Sequence, residues 1–124
     1  RLPYPPSPEE LGPLFETFLL NEVRAYLAYS GLRYPLFFWS SHDGVEVDIF
    51  CETRRGYVAV EIKSASRWDN RFNLGLNRLG EALGAGKVRR LGVYTGERPA
   101  RMNAIEILPW LAFLKRLWAG EVIT

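Results

Sequence analysis

Residues 44–63 read Gly44-Val-Glu-Val-Asp-Ile-Phe-Cys-Glu-Thr-Arg-Arg-Gly-Tyr-Val-Ala-Val-Glu-Ile-Lys63. On both sides of a short polar turn, Arg54 to Gly56, aliphatic residues recur at every second position, which is typical of a hairpin of two strands. The aliphatic faces predicted to enter one core are Val45, Val47, Ile49 and Cys51 on the first strand and Val58, Val60 and Ile62 on the second. We therefore expect the fold to be built around this hairpin.

The pairing register of the hairpin brings two acids together. If Thr53 pairs with Gly56, Asp48 lies opposite Glu61, with Cβ atoms roughly 5 Å apart. Two carboxylates in this position repel each other, and a divalent metal ion between them would remove that cost. Lys63 lies two residues beyond Glu61 and hence on the same face of the strand. We predict that Asp48, Glu61 and Lys63 point to one side of the sheet.

Length and composition indicate one domain. The chain has 124 residues, of which 48% are hydrophobic and 14% aromatic, enough for a packed core. No run approaches the ~20 apolar residues that span a bilayer, and no signal peptide opens the chain. The single cysteine, Cys51, is expected to be a buried reduced thiol. We expect a cytoplasmic protein with no membrane contact and, because the chain begins at Arg1, a fragment of a longer protein.

Charge is unevenly distributed, although the net charge is only +2. Residues 1–53 carry three Arg and eight acids, whereas residues 54–101 carry eleven Lys or Arg and four acids. A basic segment beside an acidic metal pocket suits a phosphodiester, because phosphate contacts supply most of the non-specific affinity for nucleic acids. A solvated Arg-rich surface is the alternative explanation.

The other elements follow from periodicity and from helix caps. A proline-rich linker over residues 1–11 precedes a domain over residues 12–124. The elements predicted in that domain are a helix over 13–30, a strand over 34–39, the hairpin, a helix carrying Leu76, Leu79 and Leu83, a strand over 88–94, a polar loop over 97–103, a strand over 104–108 and a helix from Pro109. This order, α-β-β-β-α-β-β-α, predicts an α/β protein with a mixed sheet of four or five strands flanked by helices.

Three further positions bear on the site. Glu16 lies beside the apolar stripe of the first helix and so near the sheet, although an acid at a helix start is also favoured by the helix dipole. Arg67 and Arg71, in the polar loop after the hairpin, are the predicted nucleic-acid contacts. Trp68 between them has two explanations, stacking on a base or sugar and bridging the loop to the core.

The acids and the lysine also form a motif. Asp48 is followed, after twelve residues, by Glu61-Ile-Lys63, and this spacing resembles the PD-(D/E)XK nuclease superfamily. The predicted order of elements is similar to the restriction-endonuclease-like core of that superfamily. The resemblance implies a strand-borne metal site with a catalytic lysine.

The whole chain resembles one family more closely. It is similar to the C-terminal domain that follows an AAA-type ATPase module in many prokaryotic proteins, catalogued as domain of unknown function 4143. The motifs that carry the resemblance are Leu14-Phe15-Glu16, Phe38-Trp39, Gly44-Val-Glu-Val-Asp48, Glu61-Ile-Lys63-Ser64 and Leu108-Pro109-Trp110. An Arg commonly follows the aromatic residue at position 39 in such proteins, whereas this chain has Ser40.

The resemblance implies a set of roles. Asp48, Glu61, the carbonyl group of Ile62 and Glu16 would hold Mg²⁺ or Mn²⁺, and Lys63 would act with Glu61 and Asp48 as a catalytic residue. Such a site implies a magnesium-dependent nuclease that acts on DNA phosphodiesters. The resemblance also implies an AAA-type ATPase domain in the same chain.

Two other functions remain open. A nuclease-like core can be a non-catalytic module that binds DNA or docks on the ATPase domain. A purely protein-binding domain is the third alternative, because the chain has a proline-rich start and many aromatic residues.

Overall fold

The structure, a computed structural model, describes residues 8–124 of the chain, and side chains from residue 11 onward. The helices and strands are α1 Pro8–Ser30, β1 Phe37–Ser40, β2 Glu46–Thr53, β3 Gly56–Lys63, α2 Leu74–Leu83, β4 Val88–Tyr94, β5 Ala100–Met102, β6 Ile105–Pro109 and α3 Trp110–Trp118. Short 3-10 segments at Asn70–Asn73 and Ala85–Lys87 flank α2.

The described strands form a mixed sheet in the order β1-β2-β3-β4-β6-β5. Strands β3, β4 and β6 run parallel in the centre, whereas β1 and β2 on one side and β5 on the other pair antiparallel. Helix α2 is the crossover between β3 and β4. The α/β class, the mixed sheet and the crossover helix are confirmed, while β5 makes the described sheet six-stranded and occupies part of the predicted polar loop. An exposed three-residue edge strand is too short to show an alternating pattern.

Both faces of the sheet are covered. Helices α1 and α3 pack with one buried cluster, called the α1-side cluster, whose members include Leu19, Ile49, Val60, Val93 and Phe113. Helix α2 packs with the second cluster, called the α2-side cluster, whose members include Val47, Ala59, Leu76, Leu79 and Ile107. Burial on both faces is expected of parallel central strands and accounts for the apolar runs at residues 57–60 of β3 and 91–94 of β4.

The start of α1 differs from its prediction. The helix begins at Pro8 rather than Pro13, so residues 8–11 are helical and do not belong to a linker. Pro8 is well suited to the first helical position, where no amide hydrogen is needed. Pro13 lies inside the helix and removes one backbone hydrogen bond there, yet the helix continues through it. The rest of the predicted linker, residues 1–7, lies outside the described residues.

The hairpin register is confirmed over most of its length. Thr53 pairs with Gly56, and the same register continues to the pair of Ile49 and Val60, where the β2–β3 ladder ends. The predicted direct pairing of Asp48 with Glu61 lies beyond that end and is wrong.

An extra residue in β2 explains the end of the ladder. Against β1, Phe37 pairs with Phe50 and Trp39 with Val47, so two steps along β1 match three steps along β2. Such a β-bulge reverses the alternation of side chains. Val47 therefore packs with the α2-side cluster while Ile49 belongs to the α1-side cluster, and the prediction that both share one face is wrong.

Candidate functional site

Asp48 and Glu61 meet in the opening between β2 and β3 that the bulge creates. The Ile62 backbone N–H donates to Asp48 Oδ2 at 2.7 Å, and the Asp48 backbone N–H donates to Glu61 Oε1 at 3.3 Å. Each carboxylate therefore accepts a backbone N–H of the opposite strand, in place of the ladder bonds that end at Ile49. The two acids are close together, as the sequence predicted, but the Glu61 carboxylate accepts the N–H of Asp48, whereas the Asp48 carboxylate accepts the N–H of Ile62, the residue after Glu61.

The acids reach this opening from different sides. Along β3, Glu61 and Lys63 alternate with Val60 and Ile62 of the α1-side cluster, so they lie on the α2 side. Asp48 instead lines a cavity of about 150 Å³ together with Glu16 of α1. The prediction of one common face for the acids and the lysine is therefore corrected: Asp48 lies on the α1 side of the opening, because the bulge changes the direction of β2 at this residue.

Lys63 contacts Glu61 directly. Its Nζ lies 3.1 Å from Glu61 Oε2, and the same ammonium lies 5.2 Å from the centroid of the Phe72 ring. About a third of the Lys63 side chain is exposed, against 9% of the Glu61 side chain. The lysine thus holds its charge at the solvent edge of the pair while the carboxylate is buried.

Burial controls the protonation of Glu61. Loss of hydration and then the neighbouring Asp48 raise the pKa of Glu61 to about 8, although Lys63 acts in the opposite direction. Desolvation of the carboxylate and repulsion from Asp48 thus outweigh one partly solvated ammonium. The pair therefore favours binding of a proton at neutral pH, and a cation of higher charge would compete with that proton.

Glu16 is the third carboxyl group near the opening. It is an exposed side chain of α1, and partial desolvation followed by the charge of Asp48 raises its pKa, while Lys63 lowers it. Its shared cavity with Asp48 agrees with the expected approach of Glu16 from the helix.

The donor chemistry fits a magnesium ion held by few protein ligands. Carboxylate oxygens are ligands that Mg²⁺ accepts, and it commonly keeps several waters and one or two carboxylates. Among the described side chains, however, no three His, Cys, Asp or Glu residues are close enough together to form a metal site. Asp48 and Glu61 thus fit as a two-carboxylate site. Ile62, predicted to contribute its carbonyl group, contacts Asp48 through its N–H.

The two predicted nucleic-acid contacts differ in their surroundings. Arg71 is tied to Asp69 by two side-chain hydrogen bonds of 3.1 Å, and Asp69 also caps the 3-10 segment. Arg67 is exposed and lines an open cavity of about 570 Å³ at the carboxyl ends of β3 and β4, where α/β proteins commonly bind ligands. Arg98 lines the same cavity, and no sequence pattern indicates its position because it lies on the loop after β4.

Trp68 bridges the loop and the core. Its Nε1 donates to Asn73 Oδ1 at 2.8 Å, and its ring packs edge-to-face with Phe72 and Tyr94. A Cβ atom at Gly92 would lie 2.5 Å from this ring, so glycine is needed under it. The bridging explanation of Trp68 therefore accounts for its contacts.

Part of the basic segment is neutralised within the fold. Arg78 pairs with Asp43 at 2.6 Å, and Arg89 and Arg101 both lie within ion-pair distance of Glu106. Ion pairs of this kind leave less positive charge for a ligand than the sequence count implies.

Comparison with known proteins gives a family. No described helix is long and apolar enough to cross a bilayer. No curated protein matches the chain. A family model does match residues 11–113, which run from α1 through the sheet into α3 and include Asp48, Glu61 and Lys63. The chain therefore belongs to the family described as Domain of unknown function (DUF4143).

Proposed function

We propose that this domain hydrolyses DNA phosphodiesters at a site formed by Asp48, Glu61 and Lys63 with Mg²⁺ or Mn²⁺. The observation that carries the proposal is the buried Glu61 carboxylate, which contacts the Asp48 N–H and the Lys63 ammonium and has a raised pKa. Such a perturbed acid beside a lysine is typical of a functional site.

Each residue has a role in the proposed reaction. When bound, the metal ion supplies charge neutralisation at the phosphate and a water of lowered pKa. Asp48 and Glu61 would provide the negative charge that holds the cation, and Glu61 would release its proton in exchange for it. Lys63 keeps its ammonium beside Glu61, where it orients the attacking water or stabilises the charge that develops on the phosphate oxygens. Arg67 and Arg98 hold the flanking phosphate groups.

Cleavage of labelled single- and double-stranded DNA in Mg²⁺, Mn²⁺ or EDTA tests the proposal. We expect Asp48→Asn, Glu61→Gln and Lys63→Met to lower the cleavage rate about 100-fold or more. Glu52→Gln is the matched control, because Glu52 is an exposed acid at the far end of β2. Equal rates in the three variants and the control would contradict the assignment of the site.

A non-catalytic module is the second candidate. Two backbone amides and an ammonium already occupy oxygens of the two acids, and no third described acid completes a metal site. This candidate predicts DNA binding, or docking on the AAA-type ATPase domain proposed for the same chain, without cleavage. Salt-sensitive DNA binding that persists in EDTA, with no cleavage in either metal, would favour it.

A further inference from the structure

We propose that an open cavity between α2 and the β5–β6 turn binds a phosphate group through Arg90. The cavity has a volume of about 420 Å³ and lies apart from the acid pair. It shares no lining residue with the cavity of Glu16 and Asp48 or with that of Arg67. The inference does not depend on the proposed nuclease activity.

Arg90 is buried with weak hydrogen bonds. The residue is 7% exposed on β4, in the centre of the sheet. Nη1 donates to the Leu76 carbonyl and Nη2 to the Asn103 carbonyl, each at 3.4 Å, which is longer than the usual 2.7–3.2 Å range. Nε is buried and has no hydrogen-bond partner among the described atoms. The guanidinium therefore has donor capacity that its protein contacts use poorly.

The charge of Arg90 is also not ion-paired with any described carboxylate, although Glu81 lines the same cavity. Among the described side chains, no carboxylate lies within 4 Å of the guanidinium, whereas Arg89, its neighbour on the strand, is 3.2 Å from Glu106. Arginine stays protonated at any pH at which proteins fold. A buried ion without a partner is strongly unfavourable, and a hydrophobic residue of similar volume would often be more stable there. A bound anion would remove this cost.

The surrounding backbone leaves room for the guanidinium. Gly80 of α2 lies against it, and a Cβ atom there would be 2.7 Å from Arg90 Nη1. On the other side, Asn103 and Ala104 adopt the left-handed conformation, with φ of 51° and 67°. Positive φ at both residues is usual for a two-residue hairpin turn and asparagine adopts it readily, so only Ala104 carries a cost in the turn that brings the Asn103 carbonyl to Arg90.

The donors around the cavity suit phosphate. Asn77 and Asn103 line it with Arg90, so amide groups on two sides accompany a planar guanidinium that can bind two oxygens at once. The volume exceeds the space of a phosphate alone and leaves room for the group that carries it. Glu81 also lines the cavity, and its carboxylate should oppose the anion. The ligand class is therefore a phosphate ester, as a free phosphomonoester or as part of a nucleic acid.

The test is a thermal unfolding titration with inorganic phosphate in EDTA, compared with chloride at equal ionic strength. We expect a saturable rise of the wild-type Tm, about 5 °C at ten times the Kd. Arg90→Met should lose this response while its Tm in chloride is equal to or above that of the wild type. Glu81→Gln should bind phosphate several-fold more tightly. Arg24→Met, at an exposed site on α1, should respond as the wild type does.

Two arms identify the source of the phosphate. A response to adenosine monophosphate alone indicates a phosphomonoester, and a response to an oligonucleotide without terminal phosphates indicates backbone phosphate. An equal response to acetate, the same response in Arg90→Met, or no saturable response in the wild type would overturn the proposal. If Arg90→Met does not fold, the Arg90 Nε–H resonance of the wild type decides: it must shift on titration with inorganic phosphate, and an unchanged resonance would also overturn the proposal.

Discussion

Replacement of Glu61 by Gln should remove a pH dependence of stability that the wild type carries. The pKa of Glu61 is about 8 in the folded protein, against a reference value of 4.5. Because the folded state holds the proton more tightly, this group favours folding fully below pH 4.5, and its contribution is lost as the pH rises to 8. The pKa difference between 4.5 and about 8, at roughly 1.4 kcal/mol per pH unit, limits the contribution of Glu61 to the free energy of unfolding to about 5 kcal/mol.

Coupling between Glu61 and Asp48 will reduce the observed value. We therefore expect the free energy of unfolding of the wild type to fall by about 2 kcal/mol or more, relative to that of Glu61→Gln, between pH 5 and pH 8. Urea unfolding in EDTA at pH 5, 6, 7 and 8, followed by tryptophan fluorescence, measures this difference. Glu52→Gln, at an exposed site on the same strand, should retain the wild-type dependence. Parallel stability curves for the wild type and Glu61→Gln would refute the reasoning, because they would show that Glu61 ionises freely in the folded protein.

Three other outcomes follow from the same contacts. Mg²⁺ at pH 8 should raise the urea midpoint of the wild type and leave that of Glu61→Gln nearly unchanged, and equal shifts would argue against a metal at this pair. Gly92→Ala should destabilise the fold by about 1 to 3 kcal/mol, because the new methyl group would lie 2.5 Å from the Trp68 ring; thermal or urea unfolding would show no change if the ring moves freely. In DNA binding at several salt concentrations, Arg67→Ala should reduce the slope of log K against log salt concentration by about one. Arg71→Ala should reduce it by less, because Asp69 holds Arg71 in an ion pair. The opposite order would contradict the assignment of the phosphate contacts.

Most of the architecture could be predicted because it depends on local periodicity. Strand β4 lies where the sequence placed it, and the crossover helix ends at Leu83, just before the glycines expected to stop it. The predicted start of α1 at Pro13 is wrong because a proline inside a long packed helix removes only part of the stability of that helix, while Pro8 suits the first helical position. Short exposed strands such as β5 are fixed by their neighbour, β6, and not by their own sequence.

The candidate site could be predicted in its members but not in its geometry. The spacing of Glu61 and Lys63 fixes their common face, and the structure joins them at 3.1 Å. The ion pair of Arg71 with Asp69 and the placement of Arg98 beside Arg67 depend on loop conformations that no periodicity encodes. The bulge is likewise invisible in β2 alone, since it is defined by the pairing with β1.

That bulge is what brings two acids of a hairpin together as a candidate site. In an unbroken ladder the Asp48 and Ile62 N–H groups would bond to backbone carbonyls, and both carboxylates would project away from the strands. Where the ladder ends, these N–H groups need other acceptors, because unpaired backbone donors are costly when buried. The carboxylates of Glu61 and Asp48 accept them, which draws both acids into the opening of the sheet. The hydrogen bonds thus stabilise the opening, while the burial they require leaves Glu61 with a raised pKa and an excess of negative charge that only a proton or a cation can compensate.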